Sequence, residues 1–154
     1  AIMTNQTSSD IENGSPYAQL ITDSNFPTGS LAWEKGSNTI IGNGEASFNG
    51  VSSYVYQNVL TIGSTYKASV TVKNWTSGAA LSAGSSATGG GTQYSEITKT
   101  SNTTTEFTFT ATSETLGIGS RSFSVVGSLS NVTVEEVNTG LQGYWKMGSM
   151  TKLI

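Results

Sequence analysis

This 154-residue chain has ten carboxylates, three tryptophans, six tyrosines and many hydroxyls, but no histidine and no cysteine. Histidine is the side chain best suited to trading protons near neutral pH, and Cys and His supply most nucleophile–base pairs and transition-metal sites. Serines are abundant, yet without a His base or a Gly-x-Ser-x-Gly elbow none reads as an activated nucleophile. An acid pair of the kind that cleaves glycosides must stand about 5 to 9.5 Å apart in a cleft. Glu135 and Glu136 are adjacent in sequence, so on a strand they point to opposite faces. The residue types therefore predict no catalytic group, no cofactor and no metal centre, and point to a binding or assembly protein rather than an enzyme.

The bulk composition narrows the partners. Hydrophobic residues make up 35% of the chain and charged residues only 11%, so hydroxyls and amides must solvate most of the surface. The net charge of −3 argues against binding a phosphate backbone, which needs clustered Lys and Arg. No run approaches the roughly 20 apolar residues of a membrane span. Nucleic acid and membrane are both excluded as expected partners. The opening Ala1-Ile2-Met3 reads as a product of initiator-Met removal or, equally, as a processed start; the first of these predicts synthesis in the cytoplasm.

The elements that must position any site are strands. From Gln19 onward apolar residues recur with period two between turn signals about ten residues apart, the pattern of a sandwich or barrel. Tyr66, Ala68, Val70 and Val72 share one face against Lys67, Ser69, Thr71 and Lys73, and Phe107, Phe109 and Ala111 repeat the arrangement. Further strands are predicted near 19–22, 38–48, 53–60, 80–84, 93–99, 115–119, 122–126 and 129–137. Residues 82–92, SAGSSATGGGT, predict a mobile loop or broad bend; no Gly-Lys-Ser/Thr follows, so this is not a phosphate cradle. The expected fold is all-β, an antiparallel jelly-roll sandwich of two sheets over residues 19–137.

Two terminal segments fall outside this pattern. Residues 1–18 are polar and aperiodic and predict an extended N-terminal arm. Residues 138–154 form a C-terminal tail with two large aromatics, Tyr144 and Trp145. Ile2, Met3, Ile11, Tyr17, Tyr144, Trp145 and Met147 are the candidate assembly contacts, because large apolar side chains seldom stay exposed without a partner.

Residues 19–137 resemble the galactose-binding-like, carbohydrate-binding jelly roll found in glycanases and in bacteriophage structural proteins. The resemblance rests on Leu20-Ile21-Thr22 with Asn25-Phe26, Trp33, Ile41-Gly42-Asn43-Gly44-Glu45-Ala46-Ser47-Phe48 and Tyr54-Val55-Tyr56-Gln57. It continues through Leu60-Thr61-Ile62-Gly63-Ser64-Thr65-Tyr66, Val72-Lys73-Asn74 and Leu129-Ser130-Asn131-Val132-Thr133-Val134. It implies that Trp33 and Phe48 seat between the sheets, that Gly63 turns the chain into Tyr66, and that Val132 and Val134 close the last core strand. Members often hold a structural calcium beside an acidic residue soon after the Phe matched by Phe26. Pro27-Thr28 stand there instead, and Glu45 with Glu135 fall far short of the six to eight oxygens calcium takes. The tail segment Leu141-Gln142-Gly143-Tyr144-Trp145-Lys146-Met147-Gly148 is similar to the opening strand of concanavalin-like domains in phage proteins.

Two functional expectations follow. In the first, the chain is a bacteriophage virion protein, a capsid decoration or cement protein at the virion surface, made in the bacterial host. Its terminal segments would bind phage capsid or other virion proteins, and it would assemble as a homo-oligomer such as a trimer. In the second, it is a carbohydrate-binding module for host surface glycans, whose aromatic faces stack on sugar rings while amides and carboxylates take the hydroxyls. Tyr54, Tyr56, Trp75 and Tyr94 are then the candidate stacking residues. Tyr54 and Tyr56 share a strand face, with Gln57 beside them, and that face is either core or ligand-facing.

Overall fold

The computed structural model describes residues 19–137, and every regular element among them is a strand. Ten strands occur: β1 (Glu34–Lys35), β2 (Thr39–Gly42), β3 (Glu45–Gly50), β4 (Tyr54–Asn58), β5 (Thr65–Ser77), β6 (Ser82–Gly84), β7 (Gln93–Glu96), β8 (Thr103–Thr110), β9 (Thr115–Gly119) and β10 (Val125–Glu136). They form two five-stranded sheets, β1-β4-β9-β6-β7 and β2-β3-β10-β5-β8, antiparallel throughout. Apart from the hairpins β2–β3 and β6–β7, each strand connects to the opposite sheet, and the result is the expected jelly-roll sandwich.

Period-two patterning explains the core. Tyr66, Ala68, Val70 and Val72 of β5 face Val55, Leu116 and Ile118 of the first sheet, and all are buried. Trp33 and Phe48 lie between the sheets, and Val132 and Val134 are fully enclosed. Gly63, at φ 92°, turns the chain into β5, with its N–H donating to Ala111 O. Trp33 stacks on Phe26 at 4.9 Å between ring centroids, and its indole N–H donates to Asp23 O.

Three segments differ from the sequence reading. Residues 38–48 are a hairpin turning at Asn43-Gly44, both with positive φ, the backbone that a two-residue antiparallel turn requires. The separate strands expected at 122–126 and 129–137 are one strand, β10. Register shifts after Val126, Ser128 and Leu129 absorb the residues that look like a turn in sequence. Residues 19–22 form no strand, because the Gln19 side chain substitutes for a backbone partner. Its Oε1 accepts from both Ile21 N and Val134 N, leaving Leu20 N to Val134 O as the backbone link there.

Paired hydroxyls line part of the outer face of the second sheet. Ser69 pairs with Thr133 at 2.6 Å and Thr71 with Thr104 at 2.7 Å, both through hydroxyls across neighbouring strands. Lys73 meets Glu45 at 3.0 Å. The Ser128 hydroxyl and then this lysine hold the Glu45 carboxyl below the usual carboxylate range.

Candidate functional site

On β4, Val55 and Gln57 are buried, so Tyr54, Tyr56 and Asn58 stand on the outer face of the first sheet. This resolves the ambiguity left by sequence: the tyrosine face is not core. The two rings lie 6.2 Å apart, inclined by 32°, and are half-buried at their bases. Neither phenol hydroxyl has a hydrogen-bond partner among the described residues. Gln57, expected beside the tyrosines, is instead on the core side. Its Oε1 accepts from Thr22 N and its Nε2 donates to Thr22 O at 2.7 Å, so both ends of the buried amide have a partner.

Small residues on the flanking strands make room for these rings. Across β1, Gly36 donates its N–H to Tyr54 O, and a Cβ at Gly36 would come within 2.8 Å of the Tyr54 ring. Glu34 lies opposite Tyr56 on the same edge strand and is exposed. Across β9, Tyr54 faces Gly119 and Tyr56 faces Gly117. A Cβ at Gly119 would sit 2.5 Å from Tyr54 Cβ and 2.8 Å from Thr88 O.

The second wall of the site is the glycine-rich stretch that sequence reads as a mobile loop or bend. Residues 85–92 fold back over β9 and β6 as a hydrogen-bonded cap. Ser85 N donates to Thr92 O and Gly89 N to Ser86 O, while the Ser82 hydroxyl donates to Gly89 O at 2.7 Å. Ser113 Oγ donates to Ser85 O at 2.6 Å, and Arg121 N to Thr88 O at 3.1 Å. The cap can descend this far because its floor is glycine. A Cβ at Gly117 would be 2.7 Å from Ala87 O and closer still to Ser86 O, and one at Gly84 would collide with Gly90 O. Gly-x-Gly at 117–119 within a strand was the available signal, since glycines on one face allow another backbone to approach closely.

The four candidate aromatics separate into three places. Tyr54 and Tyr56 form a shelf beside the cap. Tyr94 closes the gap between the sheets: its ring stacks on Phe109 at 4.2 Å, and its hydroxyl accepts from Thr112 N at 3.0 Å. Trp75 packs against the core at the end of the second sheet, its indole over Gly127, where a Cβ would lie 2.9 Å from Cδ2. Gly127 itself is opposite the buried Phe48, which puts Trp75 on the inner face, and its Nε1 donates to Gly78 O. The candidate assembly residues Ile2, Met3, Ile11, Tyr17, Tyr144, Trp145 and Met147 all lie outside the described residues.

A shallow cavity of about 280 Å³ opens on the outer face of the other sheet, lined by Ser37, Asn38, Ile40, Ser47 and Asn49. Asn38 Nδ2 is already committed to Val51 O there. Among the described residues no group of three or more His, Cys, Asp or Glu is arranged to hold a metal ion. No helix among them is long and apolar enough to cross a membrane.

No family model and no curated protein sequence matches the chain. Among solved structures it is similar to one titled "Mannan Binding Module from Man5C", at 14% identity and a TM-score of 0.47, covering 70% of this chain and 94% of that one. A likeness at that identity and score assigns no ligand to this chain.

Proposed function

We propose that this protein is a non-enzymatic carbohydrate-binding module whose ligand rests on the Tyr54–Tyr56 shelf. The observation that carries the reading is the placement of these two rings. They stand side by side on an outward-facing sheet, with hydroxyls that have no hydrogen-bond partner among the described residues, between an edge strand and a hydrogen-bonded cap. Sugar rings present carbon-bound hydrogens to an aromatic face and hydroxyls to its rim, and both requirements are met here. Glu34 and Asn58 share the face of the shelf as polar partners, and the Thr88 carbonyl of the cap borders it at Gly119. Trp75 and Tyr94 serve the fold instead.

Covering one tyrosine face removes on the order of 50–100 Å² of apolar surface from water, about 1–2 kcal/mol. Loss of one ring is therefore expected to weaken binding about tenfold. Affinity electrophoresis through gels containing host-surface and plant polysaccharides tests the reading. At least one polysaccharide should retard the wild type, and Tyr56→Ala should lose that retardation while keeping the native fold. Retardation by no polysaccharide, or equal retardation of Tyr56→Ala, overturns it. The virion-shell reading depends on residues 1–18 and 138–154, and would then be tested by co-sedimentation with capsids, with and without residues 1–18.

A further inference from the structure

The Tyr54 end of the shelf lies beside a cation that makes no ion pair among the described residues. Arg121 is the one arginine in the chain. It follows Gly119, the cross-strand partner of Tyr54, by two residues, which places its backbone within about 7 Å of that strand end. The intervening Ser120 donates its N–H to Ser53 O, tying the turn to the residue before Tyr54. On the other side Arg121 N donates to Thr88 O of the cap, and Arg121 Cγ lies 3.8 Å from where a Gly90 Cβ would be. Arg121 thus stands at the junction of the shelf and its wall.

Two further observations concern its state. Arg121 and Ser122 are consecutive non-glycine residues at φ 52° and 74°, a left-handed pair that the surrounding hydrogen bonds must hold. The guanidinium is exposed and makes no ion pair among the described residues; the Lys73–Glu45 pair belongs to the opposite sheet. At the far end of the shelf the exposed carboxylate of Glu34 lies opposite Tyr56. The shelf is therefore polarised, cationic beyond Tyr54 and anionic beside Tyr56.

Resting on the reading of the shelf as a sugar platform, we propose that its ligand is an acidic glycan in which a hexuronate carboxylate is received by Arg121 while a neutral sugar covers Tyr56. A guanidinium presents a planar fork that matches a carboxylate with two parallel N–H···O bonds. Glu34 repels an acidic sugar at the Tyr56 position, so the pattern favoured is acidic residues alternating with neutral ones rather than an unbroken polyanion. The chain's net charge of −3 gives polyanions no general attraction, which leaves selectivity to this local group.

The test is affinity electrophoresis and calorimetry with three probes: hyaluronan oligosaccharides, their carboxyl-reduced counterparts, and dextran sulfate. Wild type should bind hyaluronan at least tenfold more tightly than the reduced form. Arg121→Gln should erase that difference without loss of fold, and Arg121→Lys should keep part of it. A preference that survives Arg121→Gln, or its absence in wild type with binding otherwise intact, overturns the acidic ligand and leaves the sugar platform standing. Equal binding of dextran sulfate assigns selectivity to charge alone and overturns the carboxylate. Acid-selective binding that Tyr56→Ala leaves unchanged, or retention by no polysaccharide at all, overturns the platform itself.

Discussion

Gly117→Ala and Gly63→Ala add the same methyl group and should fail for different physical reasons. Gly117 is an ordinary strand residue, outside the left-handed region, so alanine suits its backbone. The obstacle is the cap: the new Cβ would lie 2.7 Å from Ala87 O and nearer to Ser86 O. These are backbone atoms, which cannot swing aside as a flexible side chain would, so the cap must lift. Lifting it breaks the Ser82–Gly89, Ser113–Ser85 and Arg121–Thr88 hydrogen bonds. At about 1 kcal/mol net each, the loss is about 3 kcal/mol. An added methyl at Gly63 would meet nothing within 4 Å, but the residue sits at φ 92°, so alanine there incurs only backbone strain of about 1 kcal/mol. Urea denaturation should separate the two variants by about 2 kcal/mol at constant m. Hydrogen exchange should show that Gly117→Ala exposes the Ser86 and Gly89 amides while Gly63→Ala leaves them protected. Polysaccharide retention should fall with the cap in the first variant alone. Equal destabilisation, with the cap amides equally protected, would refute the claim that the glycine floor holds the cap.

Trp75→Ala should lower stability by about 2–3 kcal/mol in denaturant titration while changing polysaccharide affinity less than twofold, because the indole packs over Gly127 on the inner face. Tyr94→Phe should lose about 1 kcal/mol by leaving Thr112 N without its acceptor, again with unchanged affinity. Ser120→Ala should raise the midpoint of thermal unfolding slightly, by about 1 kcal/mol in stability, since the Ser120 hydroxyl is fully buried with no hydrogen-bond partner among the described residues. The Glu45 carboxyl is depressed below its ordinary 4.5, so the unfolded chain takes up this proton first as pH falls. Its contribution, at most about 1 kcal/mol for a partly exposed pair, is present above that value and is lost as pH falls through the lower folded one. Glu45→Gln should flatten this part of the stability–pH curve measured by urea titration below pH 4.5.

What the sequence makes legible here is whatever depends on local alternation. The β5 run from Tyr66 to Val72 declares its buried face because each residue's neighbour two positions away shares its environment. Asn43-Gly44 carries the hairpin signal, two residues that suit successive positive φ values, yet the apolar alternation on either side of it reads as one strand over 38–48. The same logic sets Tyr54 and Tyr56 on one face but is silent on which face. That depends on Val55 and Gln57 being the ones the second sheet covers, a long-range fact. Gln57 shows the limit from the other side: a polar residue beside two tyrosines reads as part of a surface, yet Thr22, 35 residues away, supplies both of its partners inside.

The cap is the strongest case of information spread across the chain. SAGSSATGGGT has no large apolar side chain to bury, only short hydroxyls such as those of Ser82 and Ser85, and in isolation a glycine-rich segment is a flexible coil. Its order comes from glycines it does not own, Gly117 and Gly119, whose missing Cβ atoms leave a bare strip of sheet. Tyr54 crowds the same vacancy from the neighbouring strand, since its Cβ lies 2.5 Å from where a Gly119 Cβ would be. One row of absent side chains therefore seats the wall and positions the shelf together. A substitution in β9 that never touches a ligand should thus weaken binding through both, as strongly as removal of an aromatic ring.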